Sequence, residues 1–189
     1  MRNGMKRLIS AVLATMTAAT VALTAFAADY AEPPVFNSNP SETVAVTTTE
    51  LKDAVNNASE GNVSVTTKSV KTLTIGASVM KALDKADAVL EIVSPKATVT
   101  IDAATITKTR KLDLSMKTYS SAKRAVVKFR GKKDFGCEVV ITLTKCRMSA
   151  EKLAKAHVYC DGEDLGPVEL DENGNPIIKC TKAGTYEIK

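Results

Sequence analysis

Tryptophan is absent from the 189-residue chain, histidine occurs once, and aromatic residues make up only 4%. Little is therefore available for stacking on bases or sugars, and imidazole catalysis has one candidate, His157. The four cysteines, Cys137, Cys146, Cys160 and Cys180, are spaced 9, 14 and 20 apart with no Cys-x-x-Cys pair, which disfavours zinc. After residue 27 no apolar run of about 18 residues occurs, and the ending GTYEIK has neither a hydrophobic tail nor a sorting motif. With 44% apolar and 25% charged residues the chain is neither collagen-like nor a disordered tail.

The first 27 residues have a basic start (Arg2, Lys6, Arg7), an uncharged stretch from Leu8 through Thr24 and the small-residue exit Ala25-Phe26-Ala27. That is the pattern of a secretory signal. The stretch is nearly long enough for an anchor, but the exit favours cleavage, so the expected product is a soluble exported protein with no membrane segment. Cleavage leaves 23 basic against 21 acidic residues, a net charge of +2, and the whole-chain pI of about 9.0 is then no nucleic-acid signature.

Charge is distributed unevenly. Residues 108–133 hold ten basic side chains, Lys108, Arg110, Lys111, Lys117, Lys123, Arg124, Lys128, Arg130, Lys132 and Lys133, against the single acid Asp113. Residues 161–172 hold six acids and no base.

Residues 28–42 contain three of the six prolines and no periodicity, as an extended linker does. Residues 43–110 hold 13 Thr and 10 Val, a density of β-branched side chains that favours strands. Two short helices interrupt it. Thr47 and Glu50 have capping-box spacing ahead of an apolar face of Leu51, Ala54, Val55 and Ala58; Val79, Met80, Leu83 and Ala86 form a second such face. Between and after them apolar residues alternate at Val63/Val65, Leu73/Ile75, Leu90/Ile92 and Val99/Ile101, so that 47–75 and 78–101 form a weak helix-then-strand-pair repeat. Residues 111–189 form a C-terminal β region, with strands expected at 112–116, 125–130, 139–144, 157–160, 167–170, 177–180 and 185–188 and a helical turn at 149–156. The expected fold is mainly β with small helices, an antiparallel sandwich or two small subdomains divided near residue 110.

The stretch Leu73 to Ile106, with its VMKAL helix and Asp-Ala-Ala turn, and the ending Val168 to Ile188, a hairpin closing on Tyr186, resemble β-rich modules of secreted and surface proteins of Gram-positive anaerobic bacteria. Such proteins often carry dockerin or S-layer-homology segments, and neither is found here. The resemblance implies a non-catalytic surface module and transfers no catalytic residue.

Direct site chemistry is sparse. His157 lies in a strand pattern, HVYC, where a structural role is expected. Asp161, Glu163, Asp164 and Glu169 offer carboxylates for glycoside hydrolysis, but they crowd into turn-like sequence, where solvated turn charge is expected. Asp171, Asn173 and Asn175 alternate like a calcium loop, yet Gly174 is at the wrong position and Lys182 stands where the bidentate Glu belongs, so a hairpin is expected. No cofactor is implied. Export makes disulfides the default for the cysteines, although an anaerobic setting would leave them as thiols. If 138–145 is one strand, Cys137 and Cys146 lie about 30 Å apart at its two ends. That leaves Cys137 with Cys160 and Cys146 with Cys180, which is preferred, or Cys137 with Cys180 and Cys146 with Cys160.

Three functions follow as expectations. The first is a secreted surface or adhesion module whose partner is another surface protein or a cell-wall polymer. The second is a binder of an anionic envelope polymer or polysaccharide through Lys108, Arg110, Lys111, Lys117, Lys128, Arg130, Lys132 and Lys133, with the acidic 161–172 turns complementing these charges in the free protein. The third is a carboxylate-dependent hydrolase. Nucleic acid is not expected, because neither a reading helix nor interleaved aromatics occur. Signal cleavage after Ala27 places the mature N-terminus at Ala28; the intact mass of the exported protein checks this, and a membrane-held species retaining Met1 contradicts it.

Overall fold

The computed structural model describes residues 48–56, 61–130 and 133–189. The expected signal at 1–27, the expected linker at 28–42, the expected Thr47 cap, Ala58 of the first expected helical face and Lys132 lie outside them.

Helix α1 (Thr48–Asn56) buries Leu51 and Val55, and α2 (Ala77–Ala86) buries Val79, Met80 and Leu83, the spacing that one helical face requires. Helix α2 ends when Asp87 takes a left-handed conformation (φ 50°) and Ala88 N–H returns to the Leu83 carbonyl. A short helical turn, α3 (Ala150–Leu153), buries Leu153.

Thirteen strands lie among the described residues: β1 (Asn62–Thr66), β2 (Thr74–Ile75), β3 (Val89–Val93), β4 (Thr98–Asp102), β5 (Leu112–Asp113), β6 (Met116–Ser120), β7 (Ala125–Phe129), β8 (Asp134–Thr142), β9 (His157–Cys160), β10 (Glu163–Pro167), β11 (Glu169–Leu170), β12 (Pro176–Lys182) and β13 (Thr185–Ile188). One sheet runs β1-β3-β4-β8-β12-β11, a second runs β10-β9-β13-β7-β6, and β2 pairs with β5. Apolar alternation decides which face each strand turns inward: Leu90 and Ile92, Val99 and Ile101, Cys137, Val139 and Ile141, and Ile178 and Cys180 from the first sheet; Ala125, Val127 and Phe129, Val158 and Cys160, and Tyr186 and Ile188 from the second. They form one continuous core. Across the two sheets the Phe129 and Phe135 rings meet edge-on at 5.1 Å, and within the second sheet Phe129 and Tyr186 do so at 6.0 Å. The molecule is a β-rich sandwich with small helices.

Four expectations are corrected. The expected antiparallel pattern is broken by β1 and β3, which pair in parallel because α2 carries the chain across between them. The repeat extends through the helices and through β1 and β3, then breaks, because β2 leaves the main sheet to pair with β5. The division near residue 110 falls inside one sheet, where β4 pairs with β8. Finally, the segment 163–167 read as turn is strand β10, reached through Asp161 and Gly162, both at positive φ.

Gly136, near the start of β8, has φ +71°, and a Cβ there would stand 3.0 Å from the Lys108 side chain and carbonyl. Its carbonyl accepts the N–H groups of Thr107 and Lys108. This close approach, available only to glycine, fastens the 107–110 segment to β8. Gly174 (φ +76°) closes the β11–β12 turn, where the Asp171 carboxylate accepts from the Asn173 and Asn175 backbones. The calcium-like spacing is thus a hairpin, as its Asn-Gly pair indicates.

The four cysteines are unpaired thiols, which corrects the expected bridges. Both expected connectivities need a bond to Cys146, whose sulfur lies 3.7 Å from the Ser120 hydroxyl at the far end of β6. Ser120 is opposite Ala125, Ala125 opposite Ile188, and Ile188 opposite Val158. Cys160, on β9, is therefore about 14 Å or more away by strand spacing alone. Cys180 pairs with Val139, on the other side of the Ile177–Thr142 pair from the exit of β8 toward Cys146. Cys160 and Cys180 instead lie about Tyr186, whose phenol is pushed up by burial and by both thiols. Burial also pushes Cys180 up, and raises Cys137 to about 11. Thiols so buried and protonated are poor nucleophiles. Maleimide applied to the folded protein at neutral pH should label half-buried Cys146 first and the other three only on unfolding; mass spectrometry of the labelled peptides checks the order.

Candidate functional site

Strand β6 is an edge of the second sheet, and its residues alternate between core and solvent. Met116 is buried, whereas Lys117 and Tyr119 point outward. On β7, Val127 and Phe129 are buried and Lys128 points outward. The antiparallel register sets Lys117 directly opposite Lys128. Such partners have Cβ atoms about 4.5–5.5 Å apart, and like charges placed so are destabilising.

Two more cations join them. Arg130 follows β7, held by its N–H to the Ser115 carbonyl at 2.9 Å. Lys71 arrives from the segment before β2, which is fastened by Met116 N–H to the Val70 carbonyl and Leu114 N–H to the Leu73 carbonyl. Lys71, Lys117, Lys128 and Arg130, with Ser115, Met116 and Phe129, line an open cleft of about 350 Å³. None of the four cations takes part in an ion pair among the described residues. The neighbouring acid Asp113 turns its carboxylate to the Ser115 N–H at 3.0 Å.

A second cleft of about 440 Å³ lies at the other end of β6, lined by Thr118, Tyr119 and Ser120 and by Lys96, Leu143, Lys145, Cys146 and Arg147. The Ser120 hydroxyl accepts the Arg147 N–H at 2.7 Å, tying the loop after β8 to the end of the edge strand.

Of the eight cations expected to pool, the fold gathers Lys117, Lys128 and Arg130. Arg110 pairs with Asp134 and also reaches the Asp134 and Phe135 carbonyls, and exposed Lys108 stands beside Gly136 near the start of β8. Exposed Lys111 precedes β5, and exposed Lys133 precedes β8, where its carbonyl accepts the Ala183 N–H. Lys71, Lys96 and the neighbours Lys145 and Arg147 stand in three separate parts of the sequence with nothing local to mark them.

The acidic turns do not complement the cleft, contrary to expectation. Asp161 accepts the Thr185 N–H, Glu169 pairs with Lys179 at 2.7 Å, and Asp171 serves its own hairpin. Asp164 meets His157 Nδ1 at 2.9 Å across β9 and β10. The Asp164 carboxyl is held below its usual range by the Gly166 N–H first and by His157 next; Glu187 is held low chiefly by Arg124 and further by Lys189. With folded pKa values depressed, what these two acids add to stability is present above the ordinary carboxylate range and is lost as pH falls through the lowered values.

No group of three or more metal-ligating side chains occurs among the described residues, and no helix among them is long and apolar enough to cross a membrane. Comparison of the chain with family models, curated proteins and solved structures gives no match.

Lys128→Glu turns the repulsive cross-strand pair into an attractive one. The variant should be more stable by about 0.2–1 kcal/mol, read as a higher urea midpoint at unchanged m-value.

Proposed function

We propose that the protein is an exported, non-catalytic module of a bacterial surface, and that it binds an anionic envelope polymer through the cleft of Lys71, Lys117, Lys128 and Arg130. The observation that carries this is the cross-strand Lys117–Lys128 pair. A lysine on an edge strand has an ordinary use, since its charge discourages edge-to-edge pairing, and that accounts for Lys117 alone. It does not account for Lys128, which sits inside the sheet between β6 and β13 and faces another cation. Four cations converging on one cleft repel one another in the free protein, and a polyanion relieves that repulsion. Extracellular placement and the surface-module character rest on the signal pattern and on the resemblance described above. The alternative of a purely architectural or adhesion module leaves the convergence of charge without a use. A hydrolase finds little support in the carboxylates of 161–172, most of which are engaged in turns and ion pairs.

Exposed charges are screened over about 8–10 Å at physiological salt. Retention on purified cell walls should therefore fall steeply between low and physiological ionic strength. Replacing Lys71, Lys117, Lys128 and Arg130 together by Gln should weaken it about tenfold or more while the Tm stays the same or rises. Retention indifferent to both salt and these substitutions refutes the polyanion function.

A further inference from the structure

We propose that the binding site continues along β6 into the second cleft and takes an anionic polysaccharide lengthwise, one sugar lying on the Tyr119 ring between two cationic stations. This rests on the polyanion-binding function proposed above and names its ligand class.

Tyr119 is 58% exposed, a large aromatic surface left open on a chain that has few aromatics. It stands two residues beyond Lys117 on the same outward face of β6, about 7 Å along the strand. Beyond it Lys96, Lys145 and Arg147 line the second cleft. These three also take no part in an ion pair among the described residues. The order along the edge is thus cations, aromatic ring, cations. An inorganic polyanion would satisfy the two ends and leave the ring uncovered. A sugar offers apolar C–H faces to the ring, and acidic groups on its neighbours reach the stations on either side. Single-stranded nucleic acid fits less well, because its binding sites present successive aromatics and this strand presents one.

The stations stand on fastened backbone. The β3–β4 turn that carries Lys96 is closed by the Ser94 hydroxyl donating to the Ala97 carbonyl at 2.6 Å, and the loop carrying Arg147 is tied to Ser120. Less ordering is then required when ligand arrives.

The test measures binding of the mature protein to three probes at low salt: polygalacturonate, inorganic polyphosphate and a single-stranded oligonucleotide. Tyr119→Ala should weaken polygalacturonate binding about tenfold, leave polyphosphate binding within about twofold, and be rescued by Tyr119→Phe. Replacing Lys96, Lys145 and Arg147 together by Gln should weaken both polymers. Circular dichroism and thermal melting should be unchanged for each variant, since all four side chains are exposed. Tyr119→Ala that leaves polygalacturonate affinity unchanged, wild-type protein that binds polyphosphate but not polygalacturonate, or an oligonucleotide that binds tighter and loses affinity in Tyr119→Ala would each overturn the inference. If Lys117→Gln with Lys128→Gln weakens binding while the Tyr119 and second-cleft variants do not, the first cleft stands and its extension falls. If none of these variants weakens binding, both fall.

Discussion

Phe135, Cys137, Val139 and Ile141 project from β8 into the apolar layer between the sheets, while the β8 backbone is hydrogen-bonded to β4 on one side and β12 on the other. Remove that strand and the first sheet separates into an N-terminal half of β1, β3 and β4 and a C-terminal half of β12 and β11. The second sheet depends on it as well, since Phe135 supplies the ring against which Phe129 packs, and Phe129 lies beside Lys128 at the rim of the basic cleft. Truncation of a buried aromatic of this kind costs about 3–5 kcal/mol, a large share of what holds a domain of this size together. The cleft is therefore an outward consequence of the core: the side chains that alternate with buried Val127 and Phe129 have nowhere to point but into solvent.

That coupling explains how a repulsive charge pair is tolerated. The penalty between Lys117 and Lys128 is a fraction of a kcal/mol to about one, at a surface where water and salt weaken it. Against it stand the buried faces of β6 and β7, whose register cannot slip by one residue without turning Val127 and Phe129 outward. Hydrophobic register overrules local electrostatics, and cations are held opposite each other by forces unrelated to charge. The same logic operates at the Tyr119 end, where Thr118 and Ser120 sit on the inner alternation and the tyrosine on the outer one.

Period-two alternation made most strands legible in advance, because half-buried strands select apolar residues at every second position. Leu90/Ile92, Val99/Ile101 and Tyr186/Ile188 are all found with those side chains inside. Strand β10 was illegible for the corresponding reason: Glu163, Asp164 and Leu165 are all exposed, so no alternation marks it, and only pairing with β9 makes it a strand. The parallel pairing of β1 with β3 was hidden too, since a pattern of buried positions says which face is inside and nothing about which neighbour lies alongside. The cysteines failed in a related way. The two cysteines expected at opposite ends of one strand are placed differently, Cys137 within β8 and Cys146 in the loop that follows it, and the fold gives Cys146 no cysteine neighbour across the core.

Composition and patterning by themselves determined the class of this protein: a mainly β chain with small helices, poor in aromatics, with one imidazole and an excess of cations concentrated in a single stretch. They located Lys117, Lys128 and Arg130 because alternation assigns an outward face to each strand wherever it lies. Lys71, Lys96, Lys145 and Arg147 joined them only through the tertiary structure, which brings the segment before β2, the β3–β4 turn and the exit of β8 to the two ends of one edge strand. The reason is physical. Burial is decided by each residue's own side chain and is written locally, whereas a surface cluster depends on which segments the closed core brings side by side, and no residue in those segments records its neighbours.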